Sequence, residues 1–153
     1  MHYNVAMTKI ELKCSVTPGA HLPEYKSDGA SGADIHAFLD SPVVIPSGKS
    51  ALIPTGIFLE IPDGFEVQIR PRSGLAAKNG VTVLNSPGTI DSDYRGEIGV
   101  GLVNLGGSPY TVRPGDRIAQ LVIQPISLCT PVEVEELDET DRGVSGFGSS
   151  GQK

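Results

Sequence analysis

Asn85-Ser86-Pro87-Gly88-Thr89-Ile90-Asp91-Ser92-Asp93-Tyr94-Arg95-Gly96-Glu97 is the stretch on which the reading of this chain turns. An apolar run, Val81-Thr82-Val83-Leu84, stops where it begins. An alternating run, Ile98 to Val103, starts where it ends. Pro87-Gly88 carries a turn signal, because Pro presets φ and Gly supplies positive φ. Two strand-like runs joined across such a turn predict a β-hairpin. The stretch also holds an amide (Asn85), an acid (Asp91) and an aromatic ring (Tyr94). A hairpin with these groups can hold a small polar ligand by its main chain and offer it an activated water. Taken alone, Asp91 and Asp93 are ordinary turn residues, so the remainder of the chain decides.

Working outward, the chain has 153 residues, enough for one domain with a sizeable core. With 19 Gly, 12 Pro and only 5% aromatic residues, it reads as many short strands separated by turns. Strand candidates follow one another at Ile10–Cys14, Ile35–Leu39, Val43–Ile45, Ala51–Pro54, Ile57–Ile61 and Glu66–Arg70. Others are Tyr110–Val112, Arg117–Ile123 and the alternating run at Val132–Glu135. Turns at 46–49 and 62–65 predict two further hairpins. The one convincing helix signal is Ser73-Gly74-Leu75-Ala76-Ala77-Lys78. There Ser73 is placed to cap the N-terminus and Asn79-Gly80 to end the helix in a left-handed turn. Arg70 and Arg72 flank that start, making it a candidate anion site.

The net charge of −6 argues against general nucleic-acid binding but leaves room for a phosphorylated small molecule held by local arginines. The two cysteines, Cys14 and Cys129, are too few for a disulfide framework and lack metal spacing, which fits a reduced, cytoplasmic setting. No run predicts a membrane span or a signal peptide. His36 reads as an exposed or satisfied strand residue, not a metal ligand. The tail from Asp138 to Lys153 is too rich in glycine to hold a rigid element by itself. Its Arg142, Phe147, Ser149 and Ser150 leave two readings open, a lid over a ligand or a linker.

Five stretches in order resemble the homotrimeric dUTPase family. They are Ala30–Ala37, Arg70–Ala76, Leu84–Gly96, Pro114–Leu121 and Arg142–Gly151, and together they span nearly the whole chain. The resemblance implies an all-β, jelly-roll-like distorted β-barrel of the β-clip kind with one short helix, assembled as a homotrimer with active sites between subunits. It divides the chain into a barrel domain over 1–137 and a flexible C-terminal lid over 138–153. It further implies hydrolysis of dUTP to dUMP and pyrophosphate, which limits uracil incorporation in DNA and supplies dUMP for dTMP synthesis.

The resemblance also assigns roles. Asp91 would be the catalytic base for water attack on the α-phosphorus. Asp34 would position Mg2+ through its waters. Arg72, Ser73, Gly74 and Gln120 would hold the phosphates. Asn85 and the main chain near Gly88 and Ile90 would read the uracil edge. Tyr94 would stack under the deoxyribose. Phe147 would cover the base, while Arg142, Gly148, Ser149 and Ser150 would close over the phosphates. Two rivals are weighed. A dCTP deaminase on the same fold needs a glutamate in the strand after the hairpin, and Ile98–Val103 has none. A non-catalytic regulatory relative would be expected to lack the base, and Asp91 is present.

Overall fold

The structure is a computed structural model and describes residues 9–144; within them lie eleven strands and one short helix. In chain order the strands are β1 (Lys13–Val16), β2 (Ala33–His36), β3 (Val43–Ile45), β4 (Ser50–Pro54), β5 (Ile57–Glu60) and β6 (Phe65–Arg70). After helix α1 (Ser73–Asn79) come β7 (Val81–Val83), β8 (Gly88–Ile90), β9 (Gly99–Asn104), β10 (Tyr110–Val112) and β11 (Arg117–Pro125). They form four antiparallel sheets, ordered β1-β5, β10-β3, β2-β11-β6-β8 and β4-β9-β7. The ladders do not run on into a closed barrel, so the predicted barrel is distorted to the point of four separate sheets around one core.

Strand alternation builds that core. Ile53, Ile57, Ile69, Ile98, Val100 and Leu102 each turn inward and are at most 2% exposed. Each such side chain contributes about 1.5–3 kcal/mol by leaving water. Between the sheets, buried Asn104 donates through Nδ2 to the carbonyls of Ile45 and Ser108, both at 2.9 Å. Its Oδ1 accepts the Gly106 N–H at 2.9 Å, so the one amide in this part of the core is fully engaged.

Several expectations need correction. The turns at 46–49 and 62–65 form, with Gly48 and Gly64 at positive φ, but neither closes a hairpin. β3 pairs with β10 while β4 pairs with β9, and β5 pairs with β1 while β6 pairs with β11 and β8. Turn chemistry reverses the chain locally; which strand becomes the partner is set by burying the apolar faces. The central stretch is likewise no simple hairpin. Its flanking runs do pair, as β7 with β9, but Gly88–Ile90 is a strand that leaves to join β6 in the other sheet. The first strand begins later than its alternation suggested, at Lys13. The run at Val132–Glu135 has no strand partner among the described residues, and every residue from 125 to 144 is exposed.

The helix start also differs by one position. Arg72, not Ser73, is the N-cap, extended at φ −93° and ψ 125°, and no side chain caps the helix. The Arg72 guanidinium is drawn to Asp34, with Nε 3.2 Å from Oδ1. This anchors residue 72 outside the helix and leaves Ser73 as the first helical residue. The end is as expected: Gly80 is left-handed at φ 68°, its N–H reaching the Ala76 and Leu75 carbonyls. No described helix is long and apolar enough to cross a membrane.

Candidate active site

Eight of the predicted site residues line two cavities that share no lining residue. The first, of about 260 Å³, is polar. Lys26, Ala30, Gly32, Asp34, Arg72, Ser73, Gly74, Arg117 and Gln120 line it. Three separate parts of the sequence meet here because β11 lies between β2 and β6. Gln120 on β11 stands opposite Asp34 on β2 and Arg70 at the end of β6.

Asp34 is the charge centre of this cavity. Arg72 Nε lies 3.2 Å from its Oδ1 and Arg117 Nη1 lies 2.9 Å from its Oδ2. Arg72 also donates from Nη1 to the Arg117 carbonyl at 2.9 Å, so the two arginines are locked to one another. Gln120 donates from Nε2 to the Pro71 carbonyl at 2.9 Å, which ties β11 to the turn before α1. Gly32 leaves the Gln120 amide its place, since a Cβ at 32 would stand 2.4 Å from Gln120 Oε1 and push it aside.

The second cavity, of about 390 Å³, is lined by Leu52, Pro54, Thr89, Ile90, Asp91, Tyr94, Glu97 and Gly99. Its polar side comes from the loop between β8 and β9. The Tyr94 N–H donates to the Asp91 carbonyl at 3.2 Å, closing a turn that sets both side chains on the same wall. The Tyr94 hydroxyl donates to the Glu97 carbonyl at 3.0 Å. Arg95 braces the turn by donating from Nη1 to the carbonyls of Ser92 and Tyr94, at 2.6 and 3.0 Å. Asn85 and Gly88 do not line this cavity; they pack on one another, with Asn85 exposed and its Nδ2 3.3 Å from where a Cβ on Gly88 would stand.

The structure thus brings Asp34, Arg72, Ser73, Gly74 and Gln120 together, and separately Ile90, Asp91 and Tyr94. Arg142 lies in a turn at 141–144, where the Gly143 N–H reaches the Thr140 carbonyl at 3.0 Å. Phe147, Gly148, Ser149 and Ser150 lie outside the described residues. Sequence reasoning missed Lys26, Arg117 and Glu97 as lining residues. Arg117 was visible inside the fourth quoted stretch; Lys26 and Glu97 gave no local signal beyond their charge. His36 also differs from expectation. Its buried Nδ1 has no hydrogen-bond partner, and its ring packs on His21 with centroids 4.7 Å apart.

Among the described residues no group of three or more His, Cys, Asp or Glu is placed to hold a metal ion directly. Both oxygens of Asp34 already face guanidinium groups. Asp34 is thus taken up by the two arginines, and a cation would reach it only through water.

Comparison with known proteins gives one answer. The family model for dUTPase matches residues 19–151. The deoxyuridine 5'-triphosphate nucleotidohydrolase of Chlamydia pneumoniae is 55% identical over 139 residues, covering 90% of this chain and 96% of that protein. That of Rhizobium etli (strain CIAT 652) is 49% identical over 153 residues, covering 99% and 98%. Among solved structures, a mutant dUTPase of Staphylococcus bacteriophage 80alpha with dUpNHpp superposes with a TM-score of 0.83 at 27% identity. It covers 94% of this chain and 99% of that one. A mutant dUTPase from phage phi11 of S. aureus, described for its coordination of a structural Mg(II) ion, superposes with a TM-score of 0.74 at 25% identity, covering 83% and 98%. With the family match running through both cavities and through every strand from β2 to β11, the chain belongs to the dUTPase family.

Proposed function

We propose that this protein hydrolyses dUTP to dUMP and pyrophosphate, with its complete site formed where copies of the chain meet. One observation supports this best: residues from β2, the turn before α1, and β11 converge on a single cation-rich polar cavity, while the acid and the aromatic ring line another. The first suits a polyphosphate and the second a nucleoside. A ligand that spans both kinds of cavity is served if the polar cavity of one chain faces the loop cavity of its neighbour. This is the reading in which the protein is a homotrimer with interfacial sites.

In the polar cavity, Arg72, Ser73, Gly74 and Gln120 hold the phosphates. Most of the rate gain in such a reaction comes from neutralising and positioning charge. Mg2+ on the phosphates would supply further charge neutralisation, and Asp34 would hold its waters. In the loop cavity, Asp91 accepts a proton from the attacking water and aims it at the α-phosphorus; the bond to the pyrophosphate leaving group then breaks. Asp91 is exposed on the single chain, so its carboxylate is open to a water and to a ligand brought against it. Tyr94 packs under the deoxyribose. The main chain near Gly88 and Ile90, with the Asn85 amide, reads the uracil edge. Asn85 is exposed beside Gly88, and its amide turns toward the uracil edge when the ligand binds.

The domain division follows the same reading. Residues 1–137 form the body and its outgoing arm, and 138–153 form a lid. In that lid Arg142, Gly148, Ser149 and Ser150 close on phosphate and Phe147 covers the base. The setting is cytoplasmic, and nucleic acid and membrane are not partners.

The experiment is pyrophosphate release from dUTP with Mg2+, with dCTP, dTTP and UTP in parallel and ammonia assayed in the same tubes. Pyrophosphate from dUTP alone, without ammonia, is expected. Ammonia from dCTP would move the protein to deaminase chemistry and remove the role given to Asp91.

A further inference from the structure

Glu97 lies outside every role assigned above, yet three hydrogen bonds pass through it. Its Oε1 accepts the main-chain N–H groups of Thr55 at 3.1 Å and Gly56 at 2.7 Å. Two successive N–H groups aimed at one carboxylate oxygen make a small anion-binding turn, and here the chain fills it with its own acid. The Glu97 carbonyl then accepts the Tyr94 hydroxyl at 3.0 Å.

The anchor beneath Glu97 is rigid. Thr55 is fully buried, and its Oγ1 donates to the Ile98 carbonyl at 2.6 Å and accepts the Ile57 N–H at 3.3 Å. The Ile98 N–H donates to the Ile57 carbonyl at 2.8 Å. The corner between β4 and β5 is therefore bolted to the start of β9, and Glu97 sits on the bolt. Tyr94 by contrast is 45% exposed, on a loop. Its hydroxyl has one tether, the Glu97 carbonyl. Gly96 lets the ring lie flat on the chain, since a Cβ there would stand 2.3 Å from the Tyr94 hydroxyl oxygen.

The opposite wall of the same cavity is Leu52 and Pro54, on the strand that leads into the Thr55 corner. One residue thus fixes the distance between the Tyr94 ring and the β4 wall. We infer that Glu97 is a positioning residue for sugar selection. By pinning Tyr94 to the β4–β5 corner it sets the width of the nucleoside cavity and so excludes a sugar with an extra hydroxyl. The inference rests on the reading of Tyr94 as the surface under the deoxyribose.

The test compares kcat and KM for dUTP and UTP in the wild type, Glu97→Ala, Tyr94→Phe and the double variant. Tyr94→Phe cuts the tether from the other end without touching the Thr55 corner, so it decides the matter even where Glu97→Ala does not fold. Each single variant is expected to lower the preference for dUTP over UTP about tenfold, the size of one lost close-fitting contact, and to do so in KM more than in kcat. The double variant is expected to lose no more than either single one, because both remove the same link. Glu97→Gln, which keeps an acceptor oxygen for the two N–H groups, is expected to restore most of the preference. An undiminished preference in Tyr94→Phe, or losses that add in the double variant, would overturn the role of Glu97 while leaving dUTP hydrolysis intact. A wild-type enzyme with no preference for dUTP would overturn both that role and the reading beneath it.

Discussion

Arg117 reaches Asp34, Nη1 to Oδ2 at 2.9 Å, because β11 is bulged at that point. Gln120 pairs with Asp34 and Ala119 with Ile35, but His36 then pairs with Arg117 and not with Ile118. The bulge turns Arg117 onto the face that carries Asp34 and Gln120, and Ile118 into the core at 1% exposure. Asp34→Asn would keep the shape but lose the charge, and its new N–H2 would face a guanidinium donor. A loss of about 1–3 kcal/mol in stability is expected, the cost of stranding a charged hydrogen-bonding partner. It should show in chemical denaturation as a lower midpoint with an unchanged slope. An unchanged midpoint would mean the two arginines are satisfied by water and Asp34 is not their anchor.

Gly32→Ala tests the contact that shapes the same cavity. The new Cβ would stand 2.4 Å from Gln120 Oε1 and 3.0 Å from its Cδ. The Gln120 amide must move, and its bond to the Pro71 carbonyl breaks. Stability should fall by about 1 kcal/mol, as for an ordinary substitution, because only the end of a flexible side chain is displaced. KM for dUTP should rise several-fold. A normal KM would show that Gln120 does not meet the ligand from its observed position.

The motifs were legible because each is chemistry written locally: a turn, a helix ended by Asn-Gly, an acid near an aromatic ring. The two-cavity arrangement was not. Arg117-Ile118-Ala119-Gln120 reads as an unbroken strand, in which strict alternation places Ile118 on the face of Gln120. Only the bulge, set by packing against β2, corrects this. The turns at 46–49 and 62–65 failed as hairpin signals for a related reason. A turn encodes a reversal within four residues, while the choice of sheet depends on apolar faces far away in sequence. Glu97 is silent in the sequence because its partners, Thr55 and Gly56, lie some forty positions back. Nothing in Arg-Gly-Glu-Ile announces a carboxylate that will be used by main-chain N–H groups.

Asp91→Asn keeps the size and the hydrogen-bonding shape of the side chain and removes the base. Turnover of dUTP should fall by about 10²–10⁴-fold, the range a positioned general base contributes. Binding of a non-hydrolysable dUTP analogue, followed by calorimetry, should stay within a few-fold of the wild type. Near-normal turnover would remove Asp91 from the mechanism. A matching loss in binding would make it a ligand contact and not a base.

Ending the chain after Asp141 should separate folding from closure. Residues 127–144 are all exposed in the single chain, so the part beyond Asp141 adds little to the core. The truncated protein should keep its thermal midpoint within a few degrees, its oligomeric mass by light scattering, and its far-ultraviolet spectrum. Its kcat/KM for dUTP should fall at least tenfold if 142–153 supply the lid. An unfolded product would show that the tail belongs to the body, and full activity that it closes over nothing.

His36 gives a dependence on pH. Its imidazole pKa is pushed below the ordinary value, first by burial, then by His21; Lys26 and Arg117 act in the same direction and Asp34 opposes them. The unfolded chain, with an ordinary value of about 6.5, therefore binds more protons than the fold in the window below it. Stability from this group is fully present above that value and is lost as pH falls through the lowered folded value. His36→Phe removes the titrating group and fills the place of a ring whose Nδ1 has no partner. Its denaturation midpoint should vary less with pH than that of the wild type between about pH 7.5 and 5. At the lower end the variant should be the more stable of the two relative to its own value at neutrality. Parallel curves for the two proteins would show that protonating His36 costs the fold nothing.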